Sequence, residues 1–237
     1  MTSLKRFSVV FAIGAFLTAS AGLVAQTKEV SRFDPEPVVT GLPYSGEGIT
    51  TVKLTMFDGT KMERTVTAKL YRDSSGRTRR EQIVVGLEAL DPNNDFRAVV
   101  HIVDHVAGVF YTLNPGSRTA ERMPLTMLQG GVTPLRAPLE YAKNVVGLGV
   151  KDIDGRSAKG SRTITTIPTD QVGNDKPIDI IDERWESTEL RVLLRSLHRD
   201  PRSGEIEYAL TKISRTEPAA SLFQVPSGYT IRDTPIR

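Results

Sequence analysis

From about residue 49 onward, apolar and polar side chains alternate along the chain. In Met62 to Arg72, Met62, Val66, Ala68 and Leu70 fall on one side and Glu63, Thr65, Thr67 and Lys69 on the other. A period of two predicts a half-buried strand. Asp58-Gly59 separates that run from Ile49 to Phe57, which predicts a hairpin, and Asp73-Ser74-Ser75-Gly76 turns the chain into a third strand over Arg77 to Val85. The same device recurs after Asp91-Pro92-Asn93-Asn94: Ala98 to Asp104, Val109 to Leu113 and Arg118 to Met123 form a second meander, punctuated by turns at Gly108 and at Asn114 to Ser117.

The stretch from Pro124 to Asn144 holds Gly130, Gly131, Pro134 and Pro138, and allows only a short helix, placed at Leu139 to Lys143. Strands resume at Gly149 to Ile153, turn on Asp154-Gly155, and continue over Arg156 to Ile167, Pro177 to Ser187 and Glu205 to Ser214, before an irregular tail from Pro218 to Tyr229. Residues 189–198 read two ways. Leu190, Leu193, Leu194 and Leu197 fit helical spacing with Ser187 or Thr188 as a cap. A position between two strands, the following turn at Asp200 to Gly204, and Val192 and Leu194 alternating with Arg191 and Arg195 favour a strand.

The N-terminus follows a different logic. Lys5 and Arg6 precede an uncharged run from Phe7 to Ala25 diluted by Gly14, Thr18, Ser20 and Gly22, which is the profile of a signal peptide cleaved after Ala21 or Ala25. The expected organisation is a signal peptide over 1–25, a polar, proline-containing arm over 26–46, and a single β-rich domain over 47–237. The expected location is periplasmic or secreted, with membrane contact only through the signal peptide before cleavage. The chain has no cysteine, so neither a lipidated cysteine nor a disulfide is available, and stability rests on the core. Two of the three formal positive charges are Lys5 and Arg6, leaving one for the remainder. With acids and bases interspersed, no nucleic-acid partner is expected.

Catalytic signals are weak. His101 and His105 are four residues apart, but on a strand that is about 13 Å, too far to share a metal. There is no Gly-x-Ser-x-Gly elbow, and Ser45 sits in a turn-rich stretch. A triad could arise only through the fold, with His198, Asp182 and a serine converging. Asp179, Asp182, Glu183 and Glu186 surround the lone Trp185, yet Asp179 and Asp182 point to opposite faces of a strand, which argues against a carboxylate pair of the glycosidase type. Arg72, Arg77, Arg79 and Arg80 bracket a turn and are read as a solvated hairpin, with Glu63 and Glu81 as cross-strand partners. No phosphate-cradling loop occurs. The chain is expected to be non-enzymatic, with no cofactor and no metal.

The feature that does suggest a role is apolar character on both faces of single strands. Val100 and Ile102 oppose Val99 and Val103, while Val109, Tyr111 and Leu113 oppose Phe110. Such strands must be shielded on both sides, either by the chain itself or by an apolar ligand in the hollow of a curved sheet.

Three stretches carry a family resemblance: Tyr71 to Glu81 (Tyr-Arg-Asp-Ser-Ser-Gly-Arg-Thr-Arg-Arg-Glu), His101 to Asp104 followed by Val109 to Pro115, and the ending Ser221 to Tyr229 (Ser-Leu-Phe-Gln-Val-Pro-Ser-Gly-Tyr). Their succession resembles that of LolA-like periplasmic proteins, the lipoprotein carriers and RseB-type sensors, and of uncharacterised secreted acidobacterial proteins. The resemblance extends over most of residues 47–231. It implies a mainly β fold, a strongly curved antiparallel half-barrel with one or two short helices or a loop plug. It also implies a lipid or other apolar ligand in the hollow or, alternatively, an envelope protein as partner of a sensor or scaffold, and it favours the strand reading of 189–198. The chain departs from the carriers in its single tryptophan and in the glycine- and proline-rich middle where they carry a plug helix. Leu70, Val100, Ile102, Phe110 and Trp185 are the candidate ligand-binding residues.

Overall fold

A computed structural model describes residues 38–56, 58–83, 98–129 and 141–234. The signal-peptide assignment and the loop around Asp91 lie outside the described residues. The described strands are β1 (Tyr44–Thr55), β2 (Lys61–Arg72), β3 (Thr78–Ile83), β4 (Ala98–Asp104), β5 (Val109–Asn114), β6 (Thr119–Pro124), β7 (Ala142–Ile153), β8 (Arg156–Ile167), β9 (Ile178–Ser187), β10 (Leu193–Asp200), β11 (Gly204–Ser214) and β12 (Thr230–Asp233). One five-residue helix, α1 (Leu125–Gln129), follows β6, and a 3-10 turn spans Ala220–Phe223.

All twelve strands belong to one open sheet, ordered β12-β6-β5-β4-β3-β2-β1-β11-β10-β9-β8-β7. The chain meanders from β1 in the middle to β6, reappears at the opposite edge as β7, and meanders back until β11 lies against β1. Every pairing is antiparallel except that of β12 with β6. The turns are those that their residues favour. Asp154 and Gly155, at φ 51° and 76°, form the two-residue link of the β7–β8 hairpin, with Asp152 Oδ1 accepting from Gly155 N at 2.9 Å.

The sheet is strongly curved. Arg156 Nη2 donates to Ile213 O at 2.9 Å although β9 and β10 lie between β8 and β11. In a flat sheet those strands would be roughly 14 Å apart, beyond the reach of the side chain. Arg156 belongs to the face that the curvature turns inward.

Register assigns each side chain to a face. Along the first half, Ala120, Tyr111, Leu113, Val100, Ile102 and Arg79 share the inner face, and Phe110, Val103 and His101 share the outer one. Both sides are shielded: Ile102 is 0% exposed and Leu113 1%, while Val103 and Phe110 are buried on the other face. The inner cover is the C-terminal segment. Val225 and Tyr229 pack on the cluster of Val100, Ile102, Leu113 and Ala120, and Phe223 is buried beneath the Arg77 guanidinium, 5.2 Å from its ring centroid. Arg79 Nη1 donates to Leu222 O at 2.9 Å, and Ser74 N donates to the Glu217 carboxylate at 3.0 Å, anchoring the segment where it crosses the β2–β3 turn.

A second cluster lies at the other side of β1. Tyr44, Leu194 and Leu210 occupy the outer face, joined by Leu190 and Val192 of the β9–β10 turn and by Leu70 and Tyr208. Arg72 is 3% exposed. It donates to Leu42 O and Leu190 O and lies over the Tyr44 ring.

Three expectations need correction. Lys143 lies in β7, which begins at Ala142 because β8 is long enough to pair as far as Thr166; the described helix falls earlier, at α1. Pro218 to Tyr229 has no strand, as expected, and beyond it Thr230–Asp233 adds to the edge of β6. Arg72 is a buried bridge between loops and not a solvated surface charge, because the β9–β10 turn and the segment before β1 set Leu190 O and Leu42 O against it. Glu81 does pair, but with Arg79 of its own strand at 2.7 Å. The ambiguous segment is a strand from Leu193. The cap-like signal at Ser187 belongs to a tight turn, in which its Oγ accepts from Leu190 N at 3.1 Å.

Phe223→Ala removes the ring that seats the C-terminal segment, and should lower the unfolding free energy by about 3–5 kcal/mol. Urea titration followed by circular dichroism measures it. A loss under about 1 kcal/mol would show that the segment is not part of the core.

Candidate functional site

Among the described residues, the C-terminal segment covers the inner face along β3 to β6, and none covers the stretch formed by β1, β11, β10 and β9. There the register aligns Ile49 with Ala209, Thr51 with Glu207, and Leu197 with Glu183 and Glu207. These residues, with Trp185, Arg195, Arg199 and Lys151, line a trough of about 380 Å³. A second depression of about 380 Å³ lies by the β1–β2 and β10–β11 turns and has mainly charged walls, including Lys53, Lys61, Glu63, Arg202 and Glu205.

Trp185 lines the β9 side of the trough, and its position depends on a residue with no side chain. Its cross-strand partner on β8 is Gly160. The indole lies down on that glycine: a Cβ built there would stand 2.5 Å from Cζ3 and 2.6 Å from Cη2. Any side chain at 160 would lift the ring off the sheet. From β7, Lys151 brings its Nζ to 3.7 Å from the ring centroid, a cation–π contact, and Arg195 is the partner of Trp185 on β10.

Most charges around the trough are locally satisfied. Arg162 Nε donates to Glu183 at 2.7 Å, Lys53 Nζ lies 2.7 Å from Glu207, and Arg199 Nη2 lies 2.6 Å from Glu205. Bonding from Arg199 holds the Glu205 carboxyl below the usual carboxylate range, and bonding to Glu207 raises the Lys53 ammonium above its ordinary value. Lys151 and Arg195 have no carboxylate partner among the described residues.

The five residues singled out in the sequence do not converge. Trp185 lines the trough. Val100 and Ile102 share the inner face with it but are buried beneath Val225 and Tyr229. Leu70 is on the outer face and packs on the Tyr44–Leu210 cluster. Phe110 is also on the outer face, stacked on His101 with centroids 5.4 Å apart. Ile49, Leu197, Ala209, Lys151, Arg195 and Gly160 were not singled out. Gly160 carried the one usable signal, a glycine inside a β-branched strand.

Among the described residues no cluster of three histidines and carboxylates is close enough to hold a metal. Asp182 Oδ1 does meet His198 Nδ1 at 2.7 Å on the outer face, which is the base and orienter of a triad. Ser196 shares that face, but as the second residue along the same strand it is displaced by about 7 Å, beyond direct proton transfer. The carboxylates around Trp185 behave as the alternation requires: Asp179 faces inward and Asp182 outward.

Fold and trough together define a twelve-stranded β half-barrel whose inner face is sealed along one half and bare along the other. No family model matches the sequence, and no curated protein is similar to it. Similar solved structures include an uncharacterized conserved protein from Thermus thermophilus, at 9% identity and a TM-score of 0.46, covering 90% of this chain and 98% of that one. Another is the MucA/MucB complex of Pseudomonas aeruginosa, at 12% identity and 0.42, covering 79% of this chain and 56% of that one, so this chain spans just over half of its length. A third is a LolA superfamily protein from Nitrosomonas europaea, at 10% identity and 0.33, covering 87% and 98%. The group that the sequence motifs resemble is thus represented among its structural neighbours.

Gly160→Ala should displace the indole, shift the emission of the single tryptophan, and cost about 1–3 kcal/mol through overpacking. An unchanged spectrum would contradict the placement of the ring. His101 gives a separate test. Burial, with the Arg80 guanidinium beside it, holds its imidazole below the ordinary value of 6.5. The unfolded chain therefore binds the proton first as pH falls, so stability declines from about pH 6.5 downward and levels off below the folded-state value. His101→Gln should flatten that slope in denaturation series across pH.

Proposed function

We propose that this chain is an exported, non-enzymatic binding protein that holds a lipid or other apolar ligand in the bare half of its half-barrel. The location, periplasmic or secreted, rests on the N-terminal sequence profile. One observation carries the binding reading. The C-terminal segment seals the inner face of β3 to β6, while Ile49, Leu197, Ala209 and Trp185, each only half-buried, line an open trough on the inner face of β1 and β9 to β11. Sites for small molecules are concave surfaces of this kind, mainly apolar with a few placed polar groups. The motif resemblance to LolA-like proteins agrees with it. Of the original candidates, Trp185 belongs to this site, whereas Val100 and Ile102 belong to the sealed half.

A second reading, an envelope sensor or scaffold with a protein partner, has its own observation. β7 is the outer strand of the sheet among the described residues, and Val145, Val146 and Val150 are 66%, 42% and 65% exposed on it. An edge strand of this length can accept a strand from another chain. The Gly147–Gly149 bulge and two lysines limit how far such pairing could run.

Native mass spectrometry of the protein purified from its own envelope should show a bound lipid, and a fluorescent fatty acid should be taken up saturably. A ligand-free spectrum together with no uptake would dismiss the lipid reading and leave the protein-partner one.

A further inference from the structure

We infer that the ligand of the trough is a single-chain amphiphile with an acidic head, and that Lys151 and Arg195 receive that head on either side of Trp185. The inference rests on the binding reading above and adds the chemistry of the ligand to it. Three observations carry it.

The first is the division of charge. Arg162, Lys53 and Arg199 are each engaged by a carboxylate at 2.6–2.7 Å, and these pairs also occupy Glu183 and Glu207, the two acids that line the trough. Lys151 and Arg195 are the exception. Both line the trough, both are exposed, and neither has a carboxylate partner among the described residues. An incoming anion would therefore meet two uncompensated cations without displacing an existing ion pair.

The second is placement. Trp185 stands between the two, with Lys151 Nζ at 3.7 Å from its ring and Arg195 as its cross-strand partner. The indole is fixed flat on Gly160, so the cation above it is presented at the surface of the trough and not folded back into solvent. A carboxylate or phosphate is the group that both an ammonium and a guanidinium bind.

The third is what lies beside the cations. Leu197, Ala209 and Ile49 continue the inner face away from Trp185 across β10, β11 and β1, a band three strands wide and roughly 10 Å across. A band of that width suits one alkyl chain lying across the strands. The trough volume of about 380 Å³ falls at the small end of ligand sites, which argues for a single chain over a bulky multi-chain lipid.

The single tryptophan makes the test direct, because a brominated chain quenches the indole it touches. Dibromostearic acid, the corresponding dibromo alcohol, and a brominated lysophosphatidic acid are titrated against the full chain at low salt. Both acidic probes should quench Trp185 at concentrations on the order of tenfold lower than the alcohol. Lys151→Gln/Arg195→Gln should bring the acids to the level of the alcohol while leaving the alcohol unchanged. Lys151→Arg/Arg195→Lys, which keeps both charges, should retain the preference. The order of the two acids tells whether the natural head is a carboxylate or a phosphate. Equal quenching by acid and alcohol, or an acid preference that survives the double glutamine variant, overturns the acidic-head inference and leaves the apolar site standing. No saturable quenching by any probe overturns the binding reading itself.

Discussion

The structure is governed by one constraint: a twelve-stranded open sheet that curves this strongly has an inner face, and burying the apolar side chains on it requires a cover that the strands themselves do not supply. Ile102, Leu113 and Ala120 are almost fully buried because Phe223, Val225 and Tyr229 of the same chain lie across them or beside them. Each large side chain hidden in this way contributes about 1.5–3 kcal/mol, so the C-terminal segment is as much a part of the core as any strand. Its polar ties, Arg79 to Leu222 and Ser74 to Glu217, fix where it crosses. The trough lies where that cover stops.

The two halves of the sheet solve the same problem differently. The first half is shielded on both sides, with Ile102 and Leu113 buried on one and Val103 and Phe110 on the other. The second half buries its outer face, through Tyr44, Leu194 and Leu210, and keeps the inner one accessible. Gly48 and Gly160 serve this arrangement from opposite sides. The Tyr208 ring lies 2.9 Å from where a Cβ of Gly48 would be, closing the outer face, and Trp185 lies on Gly160 within the trough. Charge follows the same division: Arg162, Lys53 and Arg199 pair off with neighbouring carboxylates, and among the described residues the two cations flanking the indole have no such partner.

Much of the architecture was legible because turns and alternation are local. Asp58-Gly59, Asp73 to Gly76 and Asp154-Gly155 mark hairpins without reference to the rest of the chain, and the expected strands at Ala98 to Asp104 and Arg156 to Ile167 have the observed limits. Local signals also misled. Leucines at helical spacing between 190 and 197 reflect a tight turn running into a bulged strand, since Leu190 and Leu194 reach one cluster from different elements. The site was legible only at Trp185. Two-sided apolar strands correctly implied a cover on both sides, but nothing in their composition tells whether the cover is the chain's own tail. Lys151, Arg195 and Gly160 come together through pairings of four different strands, and no spacing along the chain encodes that.

The pairing of β1 with β11 has a consequence for how the molecule is made. It joins Glu47 to Thr211 in the middle of the sheet, so the central ladder waits for nearly the last stretch of polypeptide. Contacts this remote in sequence form slowly, because loop closure precedes any reward. A nascent or threaded chain, delivered N-terminus first, would hold the six-stranded meander with a bare β1 flank until β11 arrives. That interval is when misassembly with a neighbour is easiest and when a holding chaperone would be of most use.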